Sequence, residues 1–172
     1  MGPVSAEIEI DAPRELVFAA IADLARRPSF TDHFLSGFHL TRIESSGIGA
    51  GARFRVASPL RKVWMDTAIV ELEPPHKLIE RGCGGRANRI PVTTVWELTE
   101  GSGSLTRVRV SHWTEPSSPI DRALETLAGN AGSVQRGWRQ ALRRLRDQLE
   151  GAEAAAAPVA VAGGNPHATG IP

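Results

Sequence analysis

Two side chains in this 172-residue chain have the chemistry of a catalytic or ligand-steering pair, Asp66 and His112. His112 falls in the run Leu105–Thr114, in phase with Val108 and Val110. An imidazole pointing inward from such a strand can act as a general base or hold a ligand carbonyl. The plain alternative is a histidine satisfied by one hydrogen bond near a strand end. Asp66 belongs to Lys62–Leu72, in phase with Trp64, Ala68, Val70 and Leu72. If Val70 and Leu72 face a core, so does Asp66, unless a β-bulge shifts the phase and sets it in water. An inward carboxylate is costly without a partner, so pairing with His112 or an arginine is the most enzyme-like arrangement on offer.

Four tryptophans and five phenylalanines are the chain's aromatic side chains. Trp138 lies on the apolar stripe of a helical segment, and Trp96 is in phase with Thr94 and Leu98. Either can stack on a flat ligand or serve as ordinary core. With Phe38, Trp64, Val110 and Val134 they form the expected ligand-binding set.

Other groupings carry less chemistry. Asp32, His33 and His39 lack the histidine spacing of a metal site, so no metal is expected. The glycines of 47–51 lead into a strand rather than a helix, which removes the phosphate-cradle reading. No cofactor is expected. Cys83 is the single cysteine, which excludes an internal disulfide and a cysteine zinc cage, and no histidine partner in its segment activates it. Arg136, Arg139, Arg143 and Arg146, with Arg144, make one basic helix face. It reads either as a solvated surface or as a contact with an anionic membrane or nucleic acid, the solvated surface standing first.

The elements that must position these residues follow from periodicity. Ser5–Ile10 alternates as a half-buried strand, and Asp11-Ala12-Pro13 reads as a helix start capped by Asp11. Leu16, Val17, Ala20, Ile21 and Leu24 follow at helical spacing, and a short helix or turn spans Ser29–Leu35. From Gly37 to Thr114 the period is two: Phe38–Ser45, Ala52–Ala57, Lys62–Leu72, Lys77–Cys83, Pro91–Thr99 and Leu105–Thr114. Short turn-forming links join them, which predicts antiparallel neighbours. Apolar residues then recur every three or four positions from Pro119 to Leu149, and the glycines at 129, 132 and 137 imply a bend or a close approach. Residues 151–172 are Ala-, Gly- and Pro-rich and predict a disordered tail after a domain of residues 1–150. A net charge of +1 argues against nucleic acid as a partner, and nothing in residues 1–30 resembles a secretory signal. The expected location is therefore cytoplasmic, and the expected state is a monomer or homodimer.

Strand, two helices, six antiparallel strands and a closing helix, with "VSAEIEIDAPRELVF", "VELEPPHKLI" and "VWELTEGSGSLTRVRV", resemble the START-like helix-grip superfamily (SRPBCC), in particular its polyketide cyclase/dehydrase and lipid-transport branch. The resemblance covers about residues 4–149. It implies an α+β helix-grip fold, a curved antiparallel sheet of about seven strands around a long C-terminal helix. It also implies an internal apolar cavity for a lipid- or polyketide-like small molecule. The superfamily has carriers and enzymes alike, so transport or binding stands first, with a cyclase- or dehydratase-type enzyme using Asp66 and His112 as the alternative. A peripheral membrane or protein-interaction module is a third reading.

Overall fold

In the first strand, buried Val4, Ala6 and Ile10 share one side with Ile8, while Ser5 and Glu7 are exposed; this is β1, Val4–Ile10. The computed structural model describes residues 2–56, 63–85, 88–103, 105–116 and 130–156. Helix α1 spans Arg14–Ala22 and buries Val17, Phe18, Ala20, Ile21 and Ala22. Its N-cap is Pro13, with no side-chain cap, and the Pro13 carbonyl accepts from Leu16 and Val17 N–H. The expected Asp11 cap is therefore not made. A short α2, Arg27–Thr31, begins with proline in its first turn, where the missing N–H breaks no hydrogen bond.

Six further strands follow: β2 Leu35–Leu40, β3 Gly51–Val56, β4 Val63–Glu73, β5 Lys77–Gly84, β6 Ile90–Glu100 and β7 Thr106–Thr114. They pair antiparallel in the order β1-β7-β6-β5-β4-β3-β2. Six of the seven strands match their expected runs closely. β2 begins and ends earlier than Phe38–Ser45, and it carries a bulge between Ser36 and His39 with Gly37 at positive φ.

The last helix, α3, runs from Asn130 to Ala156. Val134, Trp138, Ala141, Leu142, Leu145 and Leu149 form its buried stripe and pack on the sheet's inner face with α1 and α2. Burying a sheet face and a helix stripe against each other is what closes the two layers around one core. The helix is described to Ala156, six residues past the expected boundary at residue 150. The rest of the expected tail, and residues 117–129 of the expected long helix, lie outside the described residues. Gly137 explains one of the helix glycines: a Cβ there would come within 2.6 Å of the Phe34 ring. Among the described residues, nothing lies within 4 Å of a Cβ at Gly132. No helix among the described residues is long and apolar enough to cross a membrane.

Candidate functional site

Three neighbouring strands each place one polar side chain in a single row of the inner sheet face. Register pairs His112 on β7 with Thr94 on β6, and Thr94 with Glu80 on β5. All three are buried, because alternation puts them in phase with Val110, Trp96 and Leu78.

His112 is 3% exposed, and its Nδ1 lies 2.9 Å from the Thr94 hydroxyl. Its other ring nitrogen, Nε2, is buried with no hydrogen-bond partner among the described residues. Burial pushes the imidazole pKa down to about 4, so at neutral pH the ring is uncharged. Across from it, on α3, the Trp138 ring centroid is 6.0 Å away. Trp138 is 4% exposed, and its indole N–H is likewise buried without a partner among the described residues. Trp138 also meets Phe34 edge-on at 5.0 Å and Trp96 edge-on at 5.3 Å.

The far end of the row is a closed ionic knot. Glu80 Oε1 accepts from Arg27 Nη2 at 2.9 Å and from the Trp96 indole at 3.0 Å. The Thr67 hydroxyl lies 3.5 Å from its other oxygen. Arg27 Nη2 also donates to the Ile21 carbonyl at 2.9 Å, and its guanidinium lies over the Trp96 ring at 4.9 Å. The knot holds Trp96 in one orientation, and Trp96 in turn supports Trp138.

The expected site residues divide into two groups. Trp96, Val110, Val134, Trp138 and His112 converge on the interior, and half-buried Phe38 stacks on Phe54 at 5.6 Å beside it. Asp66 and Trp64 do not join them. β4 carries a register irregularity between Ile69 and Glu71, so Leu72 packs toward the core while Met65, Thr67 and Ile69 supply the inward face of the preceding residues. Asp66 thus sits on the outer face, 3.6 Å from Arg53 and accepting from Asn88 at 3.2 Å, and makes no pair with His112. Trp64, 36% exposed, lies on the same outer face beneath the guanidinia of Arg53 and Arg55 at 5.0 and 4.9 Å.

The residues of the weaker groupings separate as well. His33 Nε2 lies 3.0 Å from the Gly137 carbonyl, and burial lowers its pKa. His39 instead meets Trp64 on the outer face. Of the arginines along α3, Arg144 pairs with Asp32 and Arg146 with Asp147, while Arg139 and Arg143 are exposed. A shallow surface depression of ≈ 250 Å³ between α1 and the β6–β7 turn is lined by Arg14, Glu15, Thr99, Glu100 and Thr106, among others. It lies about 20 Å from His112 along β7.

Glu80 and Arg27 were not singled out by the residue patterns. Glu80 alternates with Leu78, which is the signal that places it inward. Arg27, within Arg26-Arg27-Pro28, reads as the polar end of a helix, and its partner lies 53 residues away.

Comparison with known proteins agrees with the architecture. Residues 11–150 match the family described as Activator of Hsp90 ATPase homolog 1-like protein (AHSA1). No curated protein sequence matches the chain. Among solved structures, the KanY protein (ms6282) is 20% identical with a TM-score of 0.70, over 87% of this chain and 99% of that one. TTHA0849 from Thermus thermophilus is 20% identical with a TM-score of 0.67, over 87% and 98%. A START superfamily protein from Mycobacterium smegmatis is 14% identical with a TM-score of 0.61, over 86% and 98%. At these identities the likeness is one of fold.

Proposed function

The chain belongs to the Activator of Hsp90 ATPase homolog 1-like family, within the START-like helix-grip superfamily, and on that premise we propose that it binds a hydrophobic small molecule between the inner sheet face and α3. The observation that carries the reading is the pair of orphaned polar atoms on facing elements, His112 Nε2 and Trp138 Nε1. Each buried, unsatisfied donor or acceptor costs about 1–3 kcal/mol. Two of them within one aromatic cluster make sense if a guest completes the interior. The core residues around them, Phe34, Trp96 and Val110 with Val134, are apolar or aromatic, the surroundings a hydrophobic guest would need.

A cyclase- or dehydratase-type reaction on the same guest is the alternative, with His112 as its base. Among the described residues no carboxylate is hydrogen-bonded to that imidazole, and Asp66 lies on the opposite face of the sheet, so binding is the preferred reading. The partner is then the small molecule itself, carried by a monomer or homodimer in the cytoplasm. Native mass spectrometry of the full chain tests this. The expected result is an adduct that organic extraction removes and identifies. A chain that shows only its own mass and also fails to bind the neutral fluorophore Nile red contradicts the reading.

A further inference from the structure

The chemistry of the guest follows from the two orphaned atoms, an inference that rests on the interior-site reading above. An indole N–H can only donate, so Trp138 requires an acceptor. The His112 ring is neutral, with Nδ1 occupied by Thr94, and its Nε2 either donates or accepts according to the tautomer. A ketone oxygen accepts from Trp138 and from a protonated Nε2. A hydroxyl accepts from Trp138 and donates to an unprotonated Nε2. An ammonium only donates and leaves Trp138 unmatched.

Charge argues in the same direction. A carboxylate could accept from both atoms, but it would bring a negative charge into the core. The buried guanidinium there, Arg27, is already bound to Glu80. Glu80 stands two strands from His112 in the same row, about 10 Å away, and its pairing leaves Arg27 no free charge to offer a second anion. Burial without a counter-ion strongly disfavours such a ligand.

We infer that the interior selects neutral hydrophobic molecules bearing an oxygen acceptor, a ketone or a hydroxyl, set against Trp138 Nε1 and His112 Nε2, in preference to hydrocarbons and carboxylates. The two rings are near neighbours on facing elements, with centroids 6.0 Å apart and tilted by 48°, so both orphaned atoms belong to one patch of the interior.

Displacement of Nile red from the full chain at pH 7 by benzophenone, diphenylmethane and diphenylacetate tests the inference. The first two probes share a skeleton and differ in one oxygen; the third adds the charge. Benzophenone is expected to bind about tenfold tighter than diphenylmethane, as one or two hydrogen bonds to previously unsatisfied groups predict, with diphenylacetate weakest. In Trp138→Phe, which loses the indole N–H and keeps an aromatic ring, the preference for benzophenone should shrink about fivefold. Equal binding of benzophenone and diphenylmethane to the unaltered chain overturns the selectivity and leaves the interior site standing. Tightest binding by diphenylacetate overturns it as well. If neither Nile red nor any probe binds, the interior-site reading itself fails and takes the inference with it.

Discussion

Cutting the ionic knot on one side should destabilise the fold far more than removing it whole. The side chains of Arg27 and Glu80 are 2% and 4% exposed, so solvent screens their attraction little. Glu80→Ala leaves a buried guanidinium with the Ile21 carbonyl as its remaining acceptor, and it strips the acceptor from the Trp96 indole. Removing one partner of such a pair costs about 3–5 kcal/mol. Arg27→Met leaves the opposite charge buried and belongs in the same range. The double variant Arg27→Met/Glu80→Leu buries neither charge. Its main deficit is the unsatisfied Trp96 N–H, about 1–3 kcal/mol. The cycle is therefore strongly non-additive, with a double variant more stable than either single one. Urea unfolding followed by far-ultraviolet circular dichroism reads this directly. At a slope of about 2 kcal/mol/M, Glu80→Ala should lower the midpoint by about 2 M and the double variant by about 1 M. Additive midpoints, or a Glu80→Ala protein as stable as the parent, would refute the buried-pair reasoning.

Three further outcomes follow from named contacts. His112 has a folded pKa of about 4 against 6.5 when unfolded, so the unfolded chain binds the extra proton between those values. Its contribution to stability is complete above pH 6.5 and falls by about 3 kcal/mol as pH drops toward 4, and a ring that titrates at its ordinary value by NMR would contradict this. Gly137→Ala, despite the better helix propensity of alanine, should lose about 1–3 kcal/mol because the new methyl would sit 2.6 Å from Phe34; thermal unfolding at or above the parental midpoint would show that Phe34 yields freely. Gly132→Ala, with nothing within 4 Å among the described residues, should gain up to about 1 kcal/mol in the same assay, and a loss would contradict the open position.

Alternation made most of the sheet legible, because each strand has one buried face and the side-chain period of two admits little ambiguity. The inward placement of His112, Trp96 and Val110 follows from that rule alone. Asp66 and Trp64 show its limit. The bulge beyond Ile69 changes phase within one strand, so projecting backward from Leu72 puts the earlier residues on the wrong face. Nothing in local composition marks that position, since Ile69 and Val70 are equally suited to either side. Arg27 shows a second limit: a buried arginine is decided by a carboxylate supplied from a distant strand, and in sequence it stands next to an exposed one. The missing Asp11 cap is smaller in scale. Pro13 supplies the first turn's acceptor through its backbone, and the Asp11 N–H is instead held by Glu150 on α3.

The four indole N–H groups give the most direct reading of the interior-site claim, since each yields its own cross-peak in a proton–nitrogen NMR spectrum. Trp138 and Trp96 lie inside, while Trp64 is on the outer face and the indole of Trp113 donates to Glu115 there. On titration with benzophenone, the Trp138 resonance should move most, Trp96 less, and Trp64 and Trp113 stay in place. Movement of Trp64 or Trp113 with Trp138 unchanged would put the ligand on the outside of the sheet and contradict the account.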